Sequence, residues 1–298
     1  MRKPWTVAAT IACLATVLTL SAETAPDRGD DSEPAITNIR VNVPTVARYA
    51  KFEVSFEVHG HWRDPFDPAQ VAVDCLIDPP QGSPLIVPAF FYQAYQREEV
   101  DNREQLVRVG APVWKARFAP TEAGTYRFRL RLTNAGRTVE SEPAAFTCTG
   151  GSLPGFVRVS KINPRYFERD DGSPFFVVGE NMLFTNPGGT YAMDRWLTDL
   201  ARAGGNMIRT WWCWGGMDLE SRQSAAPRRG AGWYDLESAW RADRQVELAE
   251  ELGIAVMPTI ETQQYLRIGV DWEKYSYNAA NGGPVVSPAD YFTNPKAA

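Results

Sequence analysis

Tyr166-Phe167-Glu168-Arg169-Asp170-Asp171-Gly172-Ser173-Pro174-Phe175-Phe176-Val177-Val178-Gly179-Glu180-Asn181 divides the chain into two kinds of pattern. It reads as a strand, a tight Asp-Gly turn, and a fully apolar strand over residues 175–178 that ends in Gly179 and two polar side chains. Upstream of it the apolar residues recur with period two. Downstream, strand-like runs alternate with helix-like ones, so the architecture changes at this hairpin.

Upstream, Phe52, Val54, Phe56 and Val58 alternate with Lys51, Glu53, Ser55 and Glu57, and Tyr126, Phe128, Leu130 and Leu132 alternate with Arg127, Arg129 and Arg131. One apolar and one charged face is what a half-buried antiparallel strand requires. Further strands are expected at 36–43, 70–77, 84–92, 105–109, 113–118 and 137–148. Turn signals separate them at Asp64-Pro65, Pro79-Pro80-Gln81-Gly82, Glu122-Ala123-Gly124 and Asn134-Ala135-Gly136. This pattern predicts an antiparallel, immunoglobulin-like β-sandwich over residues 35–149. Residues 150–155, a Gly/Pro-rich run, read as a linker.

Downstream, residues 175–178 lack alternation, as a strand covered on both faces does. A helix is expected at 191–203, with Met193, Trp196, Leu197, Leu200 and Ala201 on one face and Gly204-Gly205 ending it. Residues 207–212 read as a second strand. A second helix over 236–252 has Asp235 as N-cap, a stripe of Ala239, Ala242, Val246, Ala249 and Leu252, and Gly253 as its stop. Residues 254–260 read as a third strand. The order β-α-β-α-β begins a parallel α/β layout, so the fold class is multidomain, β followed by α/β. The polar, aromatic run from 261 to 298 ends at Asn294-Pro295, which reads as the start of a third helix.

The chain has 298 residues, 44% hydrophobic and 22% charged, with a net charge of −5. That composition supports a core and offers no basic surface for nucleic acid. Arg2 and Lys3 precede an apolar run over residues 7–20 and then Ser21-Ala22. The run is shorter than the ~20 residues that span a bilayer, so residues 1–22 read as a secretory signal peptide. The protein is therefore expected to be secreted or periplasmic, with no membrane attachment after cleavage. Residues 23–34, polar and acidic, read as a disordered leader. Cys75, Cys148 and Cys213 remain beyond the signal. A Cys75–Cys148 disulfide and three buried free thiols are the two readings. There is no Cys-x-x-Cys and the histidines are His59 and His61 alone, so neither a metal nor another cofactor is expected.

In a parallel α/β layout the site lies at the C-terminal strand ends. Here these are Gly179-Glu180-Asn181, the run from Arg209 through Thr210, Trp211, Trp212 and Cys213 to Trp214, and Thr259-Ile260-Glu261. Arg209 interrupts an apolar strand, and a buried guanidinium needs a carboxylate partner. It is expected either to hold an active-site carboxylate ionised or to form a packed ion pair. Trp211, Trp212 and Trp214 are expected to form a platform for sugar rings, the plainer alternative being that at least one of them only caps the layer. Glu180 and Glu261 are expected to accept from substrate hydroxyls or to pair with Arg209. A hydrolytic pair must lie ~5–9.5 Å apart, and the first and third strands are not adjacent.

The runs Gly155-Phe156-Val157-Arg158-Val159-Ser160, Asn163-Pro164-Arg165-Tyr166-Phe167, Asp171-Gly172-Ser173-Pro174-Phe175-Phe176 and Gly179-Glu180-Asn181 resemble the entry into a family-5-like glycoside hydrolase barrel, and Gly205-Asn206-Met207-Ile208-Arg209 resembles its second strand. The preceding segment resembles the β-sandwich domain of unknown function that often precedes such barrels. Its matching residues are Phe52-Glu53-Val54-Ser55-Phe56, Asp64-Pro65-Phe66-Asp67-Pro68, Pro88-Ala89-Phe90-Phe91-Tyr92 and Trp114-Lys115-Ala116-Arg117-Phe118. The resemblance implies that residues 156–298 are the N-terminal part of a retaining (β/α)8 TIM barrel, with a carbohydrate as substrate. It implies an acid/base Glu after an Asn on strand four, a nucleophilic Glu on strand seven, and Arg209 in support of the nucleophile. No Asn-Glu dipeptide occurs here. Both catalytic carboxylates are therefore expected beyond Ala298, and the chain is expected to be a portion that is inactive alone. Glu180, Asn181, Arg209, Trp211, Trp212, Trp214 and Glu261 are then its substrate-binding residues. The second reading is a secreted carbohydrate-binding protein without hydrolytic activity.

Overall fold

The computed structural model describes residues 33–151, 153–182, 188–220 and 230–297. The expected signal peptide, and the leader as far as residue 32, lie outside the described residues. Ten strands form the β-rich unit: β1 (Ala35–Val41), β2 (Thr45–Ala47), β3 (Phe52–His59), β4 (Val71–Asp78), β5 (Leu85–Pro88), β6 (Phe90–Val100), β7 (Arg103–Phe118), β8 (Gly124–Asn134), β9 (Arg137–Glu140) and β10 (Ala144–Thr149). One sheet has the order β1-β3-β7-β6. The other runs β2-β10-β8-β4-β5, with β9 also on β8. Alternation closes a single core between them. Phe52, Val54 and Phe56 from β3 meet Val73, Cys75 and Ile77 from β4 and Phe128, Leu130 and Leu132 from β8, all nearly solvent-free. Phe146 stacks between Phe52, at 3.8 Å, and Tyr126, at 5.0 Å.

The two strands expected at 105–109 and 113–118 are one strand, β7, which pairs with β6 along its length. The register shifts once, between Tyr92 and Ala94. At that bulge the buried Gln93 amide donates to the carbonyls of Ala94, Val109 and Gly110. A buried amide can be kept there because it satisfies the backbone acceptors that the bulge releases.

Of the two readings of Cys75 and Cys148, the structure shows the free thiols, both buried. Cys75 on β4 lies opposite Leu130 of β8, and Cys148 on β10 lies opposite Gly124 of the same strand. Six residues of β8 separate those positions, about 20 Å along the strand, far beyond the reach of an S–S bond. Burial pushes the Cys75 thiol up to about 12, so it packs as a small apolar group.

A small meander follows: β11 (Val157–Val159), β12 (Phe167–Arg169) and β13 (Pro174–Phe175). Its Asp-Gly turn is the one expected. Gly172 has φ +83°, and the Ser173 amide donates to the Asp171 side chain. The apolar strand expected at 175–178 is not the first parallel strand, however. Phe175 is buried, but Phe176 is 76% exposed; the Val178 carbonyl accepts from the Asn206 amide at 2.8 Å, and the strand paired in register with the next one is β14 (Gly179–Met182).

The helix α1 (Gly189–Arg202), β15 (Met207–Trp211), the helix α2 (Leu236–Glu251) and β16 (Ala255–Thr259) complete a three-stranded parallel sheet in the order β14-β15-β16. Met193, Leu197, Ile208, Ala249 and Ile254 form its helix-side core. Trp196, expected in the α1 stripe, is 41% exposed. On α2 the buried side chains include Ala242, Gln245, Leu248 and Ala249, whereas Val246 faces outward. The stripe is rotated because α2 has two partners, its own sheet and the β-rich unit. Asp235 is the N-cap, as expected, accepting from the Ser238 amide at 2.7 Å. Beyond β16 no third helix forms among the described residues. Short 3-10 turns instead wrap a cluster of Cys213, Tyr265, Trp272, Tyr275 and Val285. No helix among the described residues is long and apolar enough to cross a membrane.

The charged face of the β1-β3-β7-β6 sheet does not open fully to water. Glu53 accepts from Lys115 at 2.7 Å and from Arg117 at 2.6 Å, and Arg117 reaches across to Asp243 of α2 with two bonds of 2.6 and 2.8 Å. The same guanidinium lies 4.9 Å from the Phe90 ring centroid, and the Lys115 ammonium 3.8 Å from that of Tyr92. Burial opposes the charge on Glu53, but the Lys115 and Arg117 hydrogen bonds outweigh it and hold the carboxyl below its ordinary 4.5. A lowered folded value contributes stability that is complete above the unfolded pKa, about 4.3–4.5, and is lost as pH falls through the folded one. Urea midpoints followed downward in pH should therefore drop steeply below about pH 4.5 in the wild type and less steeply in Glu53→Gln. Parallel curves for the two would show that Glu53 does not carry the acid sensitivity.

Candidate functional site

The neighbouring strands β14 and β15 bring several of the expected residues together. Register places Asn181, Arg209 and Met257 side by side on one face of the parallel sheet, and Glu180, Ile208 and Val256 on the other. Arg209 donates to Asn181 at 3.5 Å, and its guanidinium lies 6.0 Å from the Trp211 ring centroid. The Trp211 and Trp214 rings are 6.2 Å apart at 37°. Arg209, Asn181, Trp211 and Trp214 thus form one constellation on the face without helices. Arg209 is half-buried there, flanked by the Asn181 amide and the Trp211 indole.

Two residues depart from expectation. Glu180 was expected at a strand end beside Arg209. It falls inside β14 (Gly179–Met182) and shares the face of Ile208, opposite to Arg209. Trp212 was expected in the aromatic platform. Its indole N–H instead donates to Gln245 of α2 at 2.9 Å, Gln245 donates to Thr210, and the ring packs on the helix-side core. Adjacent tryptophans on a strand must point to opposite faces, so Trp211 and Trp212 cannot both line one platform.

Glu261 sits two residues past β16. Its carboxylate accepts from the Thr262 amide at 2.8 Å and the Tyr275 hydroxyl at 2.6 Å. Tyr275 belongs to a stack that periodicity does not announce. Its ring lies 5.1 Å from Tyr265 at 6°, and 5.1 Å from Tyr277 at 29°. Each phenol serves a different carboxylate: Tyr265 donates to Asp218 at 2.8 Å, Tyr275 to Glu261, and Tyr277 to Glu220 at 3.4 Å. Tyr265 also contacts the Cys213 carbonyl. The only sequence signal was a tail dense in Tyr, Trp and Asn, and it carried neither helical nor strand period.

Electrostatics fix these groups as donors. Burial raises the pKa of all three phenols, and the neighbouring carboxylates raise them further. Burial, with Glu261 and Asp218 nearby, pushes the Cys213 thiol up to about 12, so it supplies no thiolate nucleophile. The arrangement can orient carboxylates and present aromatic faces beside a half-buried cation. Among the described residues no group of His, Cys, Asp and Glu could hold a metal. A separate pocket of about 260 Å³ lies at the seam between the units. Tyr92, Arg117, Trp240 and Asp243 line it, and none of the expected site residues does.

Residues 45–133 match the family model described as "Domain of unknown function (DUF5060)". No curated protein matches the chain. Among solved structures, the chain is similar in fold to a candidate glycoside hydrolase from Bacteroides vulgatus ATCC 8482. The TM-score is 0.51 and the identity 17%, over 73% of this chain and 41% of that one. The chain thus spans less than half the length of that relative. A Bacteroides ovatus GH5 xyloglucanase in complex with a XXXG heptasaccharide aligns over 75% of this chain and 45% of that one, at 8% identity and a TM-score of 0.17. The Lin-41 filamin domain aligns over 42% of this chain and all of its own length, at 13% identity and 0.22. The last two scores are too low to bear on the fold.

Raised folded values mean that the three phenols contribute stability below their unfolded pKa of about 10, which is lost as pH rises through the folded values. Spectrophotometric titration at 295 nm should therefore leave them silent near pH 10 and show them ionising together with the loss of near-ultraviolet dichroism. Complete reversible titration of every tyrosine in the still-folded protein would contradict the buried stack.

Proposed function

We propose that the chain is the N-terminal portion of a secreted or periplasmic glycoside hydrolase acting on O-glycosidic bonds of poly- or oligosaccharides. In this reading residues 35–149 are an immunoglobulin-like β-sandwich, and residues 156–298 are the first strand–helix units of a (β/α)8 barrel. The observation that carries it is the helix-free face of the parallel sheet, where Asn181 and Arg209 lead to Trp211 and Trp214 at and just past the C-terminal end of β15. That is where barrels of this architecture place their chemistry. Met257 and Ile260, 43% and 71% exposed, are side chains that further strands would cover. The match of residues 45–133 and the fold likeness to the Bacteroides vulgatus structure support the same reading.

In mechanism, Trp211 and Trp214 would stack on sugar rings, because a ring's C–H face packs on an apolar plane while its hydroxyls stay hydrogen-bonded. Arg209 would hold a nucleophilic carboxylate ionised; an opposite charge within hydrogen-bond reach favours the charged form. Glu261, its two oxygens oriented by Thr262 and Tyr275, would accept from a substrate hydroxyl. The acid/base and the nucleophile would be carboxylates of the strand–helix units that complete the barrel.

A polypeptide extended by the coding sequence after residue 298 should hydrolyse an aryl-glycoside from a standard panel, and the 298-residue chain should not. In the extended form Arg209→Ala should lower kcat by about a hundredfold or more, the scale seen when one preorganised electrostatic group is removed. Clear turnover by the 298-residue chain would overturn the division of labour. A secreted carbohydrate-binding protein without hydrolytic activity is the second reading, favoured by a Trp211–Trp214 pair already in place at the strand ends. It predicts polysaccharide retardation of the 298-residue chain in affinity gels together with an inactive extended form.

A further inference from the structure

We propose that the β-rich unit acts as a built-in brace that positions the strand-end site, with Glu104 and Phe66 as its two positioning residues. The first anchor starts from a deficiency in α1. The residue at its N-cap is Gly188, which has no side chain to cap with, and the first turn contains no acidic residue. The first amides of a helix need acceptors, and its positive end favours an anion. Glu104, on β7 of the other unit, supplies both. It accepts from the Thr190 amide at 2.8 Å and from the Thr190 hydroxyl. Its second oxygen accepts from Arg241 of α2 at 2.5 Å. The Glu104 side chain is 3% exposed and that of Arg241 15%. Gly189, with φ +52°, leaves the space; a Cβ there would sit 2.5 Å from the Glu104 Cβ. One carboxylate of the β-rich unit thus ends one helix and clamps the other. Arg97 of β6 reinforces it, pairing with Asp194 at 2.7 Å, to which Arg244 of α2 also pairs at 2.9 Å.

The second anchor gives a role to the Asp64-Pro65-Phe66-Asp67-Pro68 run, which the strand-end chemistry leaves unused. The loop from 60 to 70 is tied down from within. The buried Asn134 donates to the carbonyls of His61 and Gln70 and accepts from the His61 amide. Asp64 accepts from the Phe66 amide, and Gln70 donates to Asp67. The loop so held presents the Phe66 ring to Trp233, at 5.6 Å, and to Tyr234, at 5.4 Å, both edge-on. Those two aromatics lie just before the N-cap of α2. Beside them the Gly232 amide donates to Glu220, the carboxylate that Tyr277 serves. Phe66 therefore fixes the segment through which the carboxylate–tyrosine cluster connects to α2.

This assignment is independent of the reaction proposed above and is tested without it, by hydrogen exchange on the full chain read peptide by peptide. Glu104→Ala should raise exchange about tenfold over residues 188–202 and 236–251, the scale of one lost cap or clamp, while peptides of β3, β4 and β8 stay within about twofold. Glu104→Gln keeps a neutral acceptor for the Thr190 amide but loses the charge that holds Arg241. It should leave the first turn of α1 protected and loosen α2. Phe66→Ala should raise exchange over residues 230–235 and leave α1 unchanged. Uniform acceleration in both units would reduce Glu104 to a general stability residue and overturn the proposal. So would no change in α1 and α2, or a Glu104→Gln pattern identical to that of Glu104→Ala. If Glu104→Ala does not fold, the split between α1 and α2 in Glu104→Gln decides alone.

Discussion

The seam between the two units depends on charges that neither unit could bury alone. Glu53, Lys115 and Arg117 lie on the outward face of a sheet, and Asp243 on the outward face of a helix. Each face, taken separately, is a solvated surface. Brought together, the two anions and two cations neutralise one another, with aromatic rings from Phe90 and Tyr92 beside the cations. A partly desolvated ion network of this kind contributes modest net stability, but any mismatched pairing leaves a charge without its counter-ion. It therefore specifies one orientation of the α/β unit on the β-rich unit more strongly than it stabilises it.

That orientation explains the asymmetry of the parallel sheet. One face is covered by α1 and α2, which are themselves held against β6 and β7. The other face, with Arg209 and Asn181, carries no helix. The strand ends consequently open on a surface whose polar groups face outward, while Ile208 and Thr210 of the same strand are nearly solvent-free. The tyrosine stack rims this surface and keeps three carboxylates supplied with neutral donors, since burial holds the phenols protonated.

Much of the framework was legible in the residues. Period-two runs located β3, β4 and β8. The Asp-Gly turn located the β12–β13 hairpin, and Asp235 with Gly253 bracketed α2. Within the candidate site, the neighbourhood of Arg209, Trp211 and Trp214 followed from where parallel strands end. Other parts were not legible, for identifiable reasons. Glu180 was misplaced because an apolar run at 175–178 imitates a buried strand, whereas the strand paired in register runs from Gly179 to Met182 and contains Glu180. Trp212 was misplaced because adjacent strand residues cannot share a face. The cysteines differ from the disulfide reading because β8 stands between their strands.

The sequence by itself determined what depends on neighbouring residues. It set the alternation that assigns inward and outward sides, the turn at Gly172 and the cap at Asp235, and hence the order of elements along the chain. These are local energies, decided within a few residues by backbone sterics and short-range hydrogen bonds. Only the tertiary structure decided where the outward sides end. Arg117 and Asp243 are 126 positions apart, Glu104 and Arg241 137, and Tyr265 and Asp218 47. A charge or a phenol has no preferred partner until packing removes the competing water, and which partner is then within reach depends on the whole path of the chain.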